Sequence, residues 1–135
     1  MDIEKQSSDG FRIMSGDDRL ALPILSLGGY GVVSVASNLV PGKISKLVSS
    51  YRDGDVETPK EIHYELLPLF KSLFLETNPS PVKAAMEIMG KPAGKPRLPL
   101  VEVEDETKEK LREVVSDQVL IEPFSKISTS FLFIN

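Results

Sequence analysis

The run Gly31-Val32-Val33-Ser34-Val35-Ala36 constrains this chain more than any other segment. It is β-branched and apolar on both faces, the pattern of a parallel strand covered on each side. The strand partner on offer is Phe11-Arg12-Ile13-Met14-Ser15, a short, mostly apolar run stopped by Gly16. Its length alone does not exclude a turn of helix. Each run leads into a helical pattern. Asp17 and Asp18 precede Leu20, Leu22, Ile24, Leu25 and Leu27, and a carboxylate placed there can accept the orphan amides of a helix start. Pro23 falls in the first turns, where a missing N–H does least harm, and Gly28-Gly29 ends the helix. Asn38 is placed to cap a second helix, with Pro41 in its first turn and Ile44, Leu47, Val48 and Tyr51 on one face. Asp53-Gly54-Asp55 closes it. The first third therefore reads strand, helix, strand, helix.

The pattern then changes to helices alone. Ile62, Leu66, Leu69, Phe70, Leu73 and Phe74 mark a long amphipathic helix between Thr58-Pro59 and Thr77, with Pro68 expected to kink it. Asn78-Pro79-Ser80-Pro81 is a punctuated turn. Pro81 begins a helix carrying Val82, Ala85, Met86 and Met89, which Gly90 ends. A Pro/Gly-rich linker from Lys91 to Pro99 leads to Asp105-Glu106-Thr107, an acidic helix start suited to the macrodipole. Leu111, Val114 and Val115 line that last helix. No internal repeat is found.

Two parallel strands leave open hydrophobic edges, which template aggregation, and a two-stranded sheet is marginal alone. The expectation is that sheet from another chain covers them, or that this sequence is part of a longer one. At 135 residues the chain is one ordinary domain in size, well short of the roughly 250 residues of a complete eight-fold β/α barrel. Sixteen Lys+Arg against twenty Asp+Glu give a formal charge of -4, which argues against a nucleic-acid footprint. The absence of cysteine excludes a disulfide framework, a Cys-based zinc site and thiol catalysis, and a single histidine excludes a multi-His metal site. No apolar run approaches the ~18 residues of a membrane span. The acidic start lacks the basic and apolar regions of a secretory signal, so a soluble, cytoplasmic protein without a membrane or nucleic-acid partner is expected.

Ser15-Gly16-Asp17-Asp18, Leu20 to Pro23 and Leu27 to Asn38 resemble the dihydrodipicolinate synthase (4-hydroxy-tetrahydrodipicolinate synthase) family. The resemblance continues through Leu67-Pro68-Leu69-Phe70, Leu73-Phe74, Glu76-Thr77-Asn78-Pro79, Pro81 to Ala85 and Arg97 to Leu100. It spans roughly residues 11–115 in the family's own order. The fold it implies is α/β: the last two β/α units of a TIM (β/α)8 barrel, followed by a C-terminal helical domain. The divisions expected are a lead-in at 1–10, the β/α units at 11–53, the helical domain at 54–117 and an atypical tail at 118–135. The implied activity, on the route to lysine, joins pyruvate to aspartate 4-semialdehyde through a lysine Schiff base, with no cofactor. A homo-oligomer is also implied. A neutral lysine amine attacks the pyruvate ketone, which requires a lowered pKa. In this family that lysine, the relay tyrosine and the arginine that grips the second substrate lie on earlier strands, and this sequence begins after all of them. No catalytic residue or metal ligand is therefore expected here. The chain alone should be inactive and should need an N-terminal half barrel.

By resemblance, Gly16 and Asp17 border the entry of the aldehyde substrate, and the Val33 backbone carbonyl faces the pyruvate site. The residues themselves admit plainer roles. Gly16 suits a tight turn, one of the two aspartates suits a cap, and Val33 suits a core strand position. Gly28, Gly29 and Gly31 precede a strand, unlike the dinucleotide fingerprint, and read as a turn. His63 reads as a surface or helix-packing residue, Tyr30 as a loop-packing ring, Lys83 as solvated or packing, and Glu76 to Pro81 as a helix stop and restart. Phe131 to Ile134 is an uncharged β-prone run of the type that aggregates when exposed. A non-native end and a strand packed in an assembly both account for it. Two alternatives remain: part of another pyruvate-dependent aldolase such as an N-acetylneuraminate lyase-like enzyme, and a non-catalytic helical interaction module.

Overall fold

The computed structural model describes residues 10–118; residues 1–9 of the expected lead-in and 119–135 of the expected tail, with its Phe131-to-Ile134 run, lie outside the described residues. Strands β1 (Met14–Ser15) and β2 (Gly31–Val32) pair in parallel, with Met14 opposite Gly31 and Ser15 opposite Val32. The crossover between them contains a 3-10 turn, Asp18–Leu20, and helix α1 (Ala21–Ser26). A second 3-10 turn, Ala36–Asn38, leads to α2 (Pro41–Arg52), and α3 (Glu57–Ser72), α4 (Ser80–Ile88) and α5 (Asp105–Gln118) complete the chain. The architecture is α/β with a two-stranded sheet and a predominance of helix.

Both strands are shorter than the apolar runs that suggested them. Strand length is set by a partner able to hydrogen-bond, and the pairing ends once the chain turns into each 3-10 segment. Tyr30 N donates to the Ile13 carbonyl and Val33 N to the Ser15 carbonyl, both at 2.7 Å, and these bonds frame the ladder. Val33 is 68% exposed, which corrects its assignment to the core: a ladder of two strands leaves a face that nothing among the described residues covers. Asn38 is not the cap of α2 either. The cap position is Val40, without a side-chain bond, and the Asn38 amide instead donates to the Val35 carbonyl at 2.9 Å.

The helices follow their sequence periodicity closely. α2 packs on α3, and both α3 and α4 pack on α5. Leu66, Leu69, Phe70, Leu73 and Leu111 are completely buried at the centre of one hydrophobic cluster. Leu25, Ala36, Leu39 and Leu47 belong to the same cluster, so the β/α segment and the helical segment share a core. Helix ends use the residues expected. Gly28, Gly54 and Gly90 adopt positive φ just beyond α1, α2 and α4, a conformation open to glycine because it lacks a Cβ. No helix among the described residues is long and apolar enough to cross a membrane.

Candidate functional site

The carboxyl ends of a parallel strand pair bring two loops side by side, and the predicted site residues lie on them. Gly16 and Asp17 follow β1 directly, and Val33 follows β2. The Val33 N–H to Ser15 carbonyl bond ties the two loops at their roots. The Val33 carbonyl accepts no hydrogen bond among the described residues. All three predicted residues are thus brought together at one end of the sheet.

Local chemistry explains the shape of the first loop. The buried Ser15 hydroxyl donates to the Asp17 carbonyl at 2.7 Å and accepts from Asp17 N at 3.2 Å. Asp17 is the cap of the first 3-10 turn, its Oδ1 accepting from Arg19 N at 2.9 Å, as one of the paired aspartates was expected to be. The same carboxylate takes two-pronged bonds from the Arg19 guanidinium, with Nη2 to Oδ2 at 2.6 Å. The side-chain bonds from Arg19 hold the Asp17 carboxyl below its ordinary range, against a smaller opposing effect of burial. The Asp17 carboxylate is therefore engaged by Arg19. Gly16 is exposed, and its φ lies outside the left-handed region. Gly16 makes the turn that was expected of it, in a conformation and a space open to other residues as well.

Asp18 performs the longer-range task. It is 1% exposed, and its Oδ2 accepts from Val35 N and Ala36 N, each at 3.0 Å. It thereby caps the second 3-10 turn, seventeen and eighteen residues away in sequence. Its Oδ1 is buried without a partner among the described residues. The second loop is closed on itself by Ser34 and Ser37: Ser37 N donates to Ser34 Oγ at 2.8 Å and Ser37 Oγ to the Ser34 carbonyl at 2.9 Å. Sequence reasoning found a cap among the aspartates but not the division of labour. Arg19, two residues past Asp17, was a visible clue to the ion pair, whereas the reach of Asp18 to Val35 is set by the strand pairing.

Beside the second loop lies an open cleft of about 390 Å³, lined by Ser34, Val35, Asn38, Asn78, Lys83 and Ala93 among others. Lys83 is a packing residue here, its ammonium donating to the Ala93 carbonyl at 2.6 Å and so holding the linker against α4. The Glu76-to-Pro81 segment has the structural role expected of it: Glu76 Oε1 accepts from Glu104 N at 3.0 Å, and Ser80 Oγ donates to the Val101 carbonyl at 2.6 Å. His63 packs its ring near Tyr64 and Phe70, and burial pushes its pKa down. Tyr30 is a loop-packing ring contacted by two guanidiniums, with Arg12 at 4.2 Å and Arg52 at 4.4 Å from its centroid. No group of three His, Asp or Glu side chains suited to a metal ion occurs among the described residues.

Comparison with known proteins bears on this geometry. The model of the dihydrodipicolinate synthetase family matches residues 1–118. A 4-hydroxy-tetrahydrodipicolinate synthase of Archaeoglobus fulgidus is 48% identical over 120 residues, covering 89% of this chain and 42% of that protein. The protein of the same name from Methanospirillum hungatei is 50% identical over 114 residues, covering 84% of this chain and 39% of its own length. Among solved structures, a dihydrodipicolinate synthase from Aquifex aeolicus matches with a TM-score of 0.84 at 44% identity, covering 88% of this chain and 41% of that one. The chain thus spans about two-fifths of the length of the curated relatives it matches.

Proposed function

The chain belongs to the dihydrodipicolinate synthetase family, and from that membership we propose that it forms the closing β/α units and helical region of a pyruvate-dependent lyase. In this reading β1 and β2 are the last two strands of a (β/α)8 barrel, and their open edges pair with strands contributed by the rest of the barrel. The enzyme condenses pyruvate with aspartate 4-semialdehyde in lysine biosynthesis, in the cytoplasm and as a homo-oligomer.

The observation that carries the reading is the juxtaposition of Gly16-Asp17 and Val33 at the carboxyl ends of a parallel pair. That is the end of a β/α barrel at which chemistry is done. The exposed Val33 and its free carbonyl line the barrel mouth beside pyruvate, and Gly16 and Asp17 border the aldehyde's path. A lysine on another strand condenses with the pyruvate ketone, losing water to give the imine. Loss of a methyl proton then gives the enamine that attacks the aldehyde carbon. The two strands described here carry no lysine, so this chain's contribution is to shape the pocket and close the barrel.

The test is reconstitution. This chain is refolded with an amino-terminal fragment of the Archaeoglobus fulgidus relative, treated with pyruvate and borohydride, and weighed intact. We expect a pyruvyl adduct on the fragment, none on this chain with or without the fragment, and condensation activity only in the mixture. An adduct on a lysine of this chain, or a mixture that stays inert, overturns the reading.

A further inference from the structure

We propose that Asp18 is a positioning residue for the pyruvate site: its buried carboxylate fixes the place of the Val33 peptide. The inference rests on the functional reading above and extends it to a residue that touches no substrate.

Val33 is held from two directions. Upstream, its N–H is bonded to the Ser15 carbonyl at 2.7 Å. Downstream, Val35 and Ala36 are bonded to a single oxygen of Asp18, both at 3.0 Å. Only Ser34 separates the Val33 carbonyl from that anchor, and Ser34 is itself locked to Ser37. The exposed Val33 side chain contributes little packing of its own, so the hydrogen bonds, not the core, decide where its carbonyl stands. Asp18 also sits next to Asp17. One dipeptide therefore ties the loop bordering the aldehyde to the loop bordering pyruvate. The second oxygen argues that stability alone does not account for the residue. Oδ1 is buried with no partner among the described residues, and a buried polar atom left unmatched is costly.

The variants Asp18→Asn and Asp18→Ala are prepared in the reconstituted enzyme, and each substrate is varied separately with rates normalised to borohydride-trapped sites. Asparagine keeps an oxygen that can accept both amides; alanine removes it. Misplacing a positioned group by about 1 Å can cost on the order of a hundredfold, so we expect Asp18→Ala to raise the pyruvate KM at least tenfold by that measure. The aldehyde KM should hold within about twofold, and Asp18→Asn should restore most of the loss. If the alanine variant does not fold, Asp18→Glu carries the same expectation, because it keeps the charge but displaces the oxygens by one methylene. A variant that loses thermal stability while its pyruvate KM is unmoved, or moves both KM values equally, overturns the inference and leaves the functional reading standing. A wild-type mixture that traps no pyruvate overturns the functional reading, and this inference with it.

Discussion

Gly29 and Gly16 have the same side chain and opposite reasons for it. A Cβ on Gly29 would stand 2.4 Å from Ile24 Cγ2 and 2.7 Å from the Ile24 carbonyl oxygen, so the backbone after α1 approaches too closely for any other residue. A Cβ on Gly16 would meet nothing within 4 Å. Gly29→Ala should therefore destabilise by about 1–3 kcal/mol, the usual cost of overpacking. Gly16→Ala should stay within about 0.5 kcal/mol, as surface changes do. Urea unfolding of the two variants checks both, and equal destabilisation would refute the assignment. If Gly16→Ala then lowers the activity of the reconstituted enzyme, the loss reports on substrate space and not on folding. At this scale the sequence was legible where the chemistry is local. The Asp17 cap, the proline at the start of α2 and the glycines past the helix ends all act within a few residues. The close approach of Gly29 to Ile24 is local too, part of the helix end that Gly28-Gly29 signals, whereas a reach such as Asp18 to Val35 depends on a path through space that spacing along the chain does not encode.

The helices were legible for the same reason: their period is written in the chain itself. α5 illustrates how little apolar surface suffices. Its sequence is dominated by charge, and it is held by Thr107, Leu111 and Val115, buried residues spaced four apart on one stripe. The expected stripe of Leu111, Val114 and Val115 packs on the core, Val114 half-buried at its margin, and the buried Thr107 extends it by one turn. Leu111→Ala should destabilise by about 2–5 kcal/mol, in the range of large-to-small changes in a filled core. Glu113→Ala, on the exposed face, should change stability by less than about 0.5 kcal/mol. Chemical denaturation followed by far-ultraviolet circular dichroism measures both; a small loss for Leu111→Ala would mean that α5 docks only loosely on α3 and α4. The strands were less legible. β-branched residues declare a willingness to pair, but the number of paired residues is decided by neighbours. Phe11 to Ser15 and Gly31 to Ala36 accordingly yield two residues each.

Across the described residues, a well-buried helical core is joined to a sheet whose two edges have no partner strand among them. The cluster that contains Leu66, Phe70 and Leu111 also takes in Leu25 and Ala36, so the units flanking the sheet are anchored even though the strands themselves are not. Such a molecule should open unevenly, because local openings range from nearly free at weakly packed segments up to the global unfolding energy in the core. In the chain alone, the Tyr30 and Val33 amides, which carry the ladder bonds to Ile13 and Ser15, should exchange with solvent far faster than the Phe70 and Leu111 amides. Adding the amino-terminal fragment of a relative should slow Tyr30 and Val33 selectively, since new strands would cover the edges and faces now exposed, and should leave the core amides nearly unchanged. Native-state hydrogen exchange read residue by residue makes that comparison. Ladder amides as protected as those of α3 in the chain alone would mean that two strands suffice here. The need for a complementing sheet, on which the lyase reading depends, would then lose its physical basis.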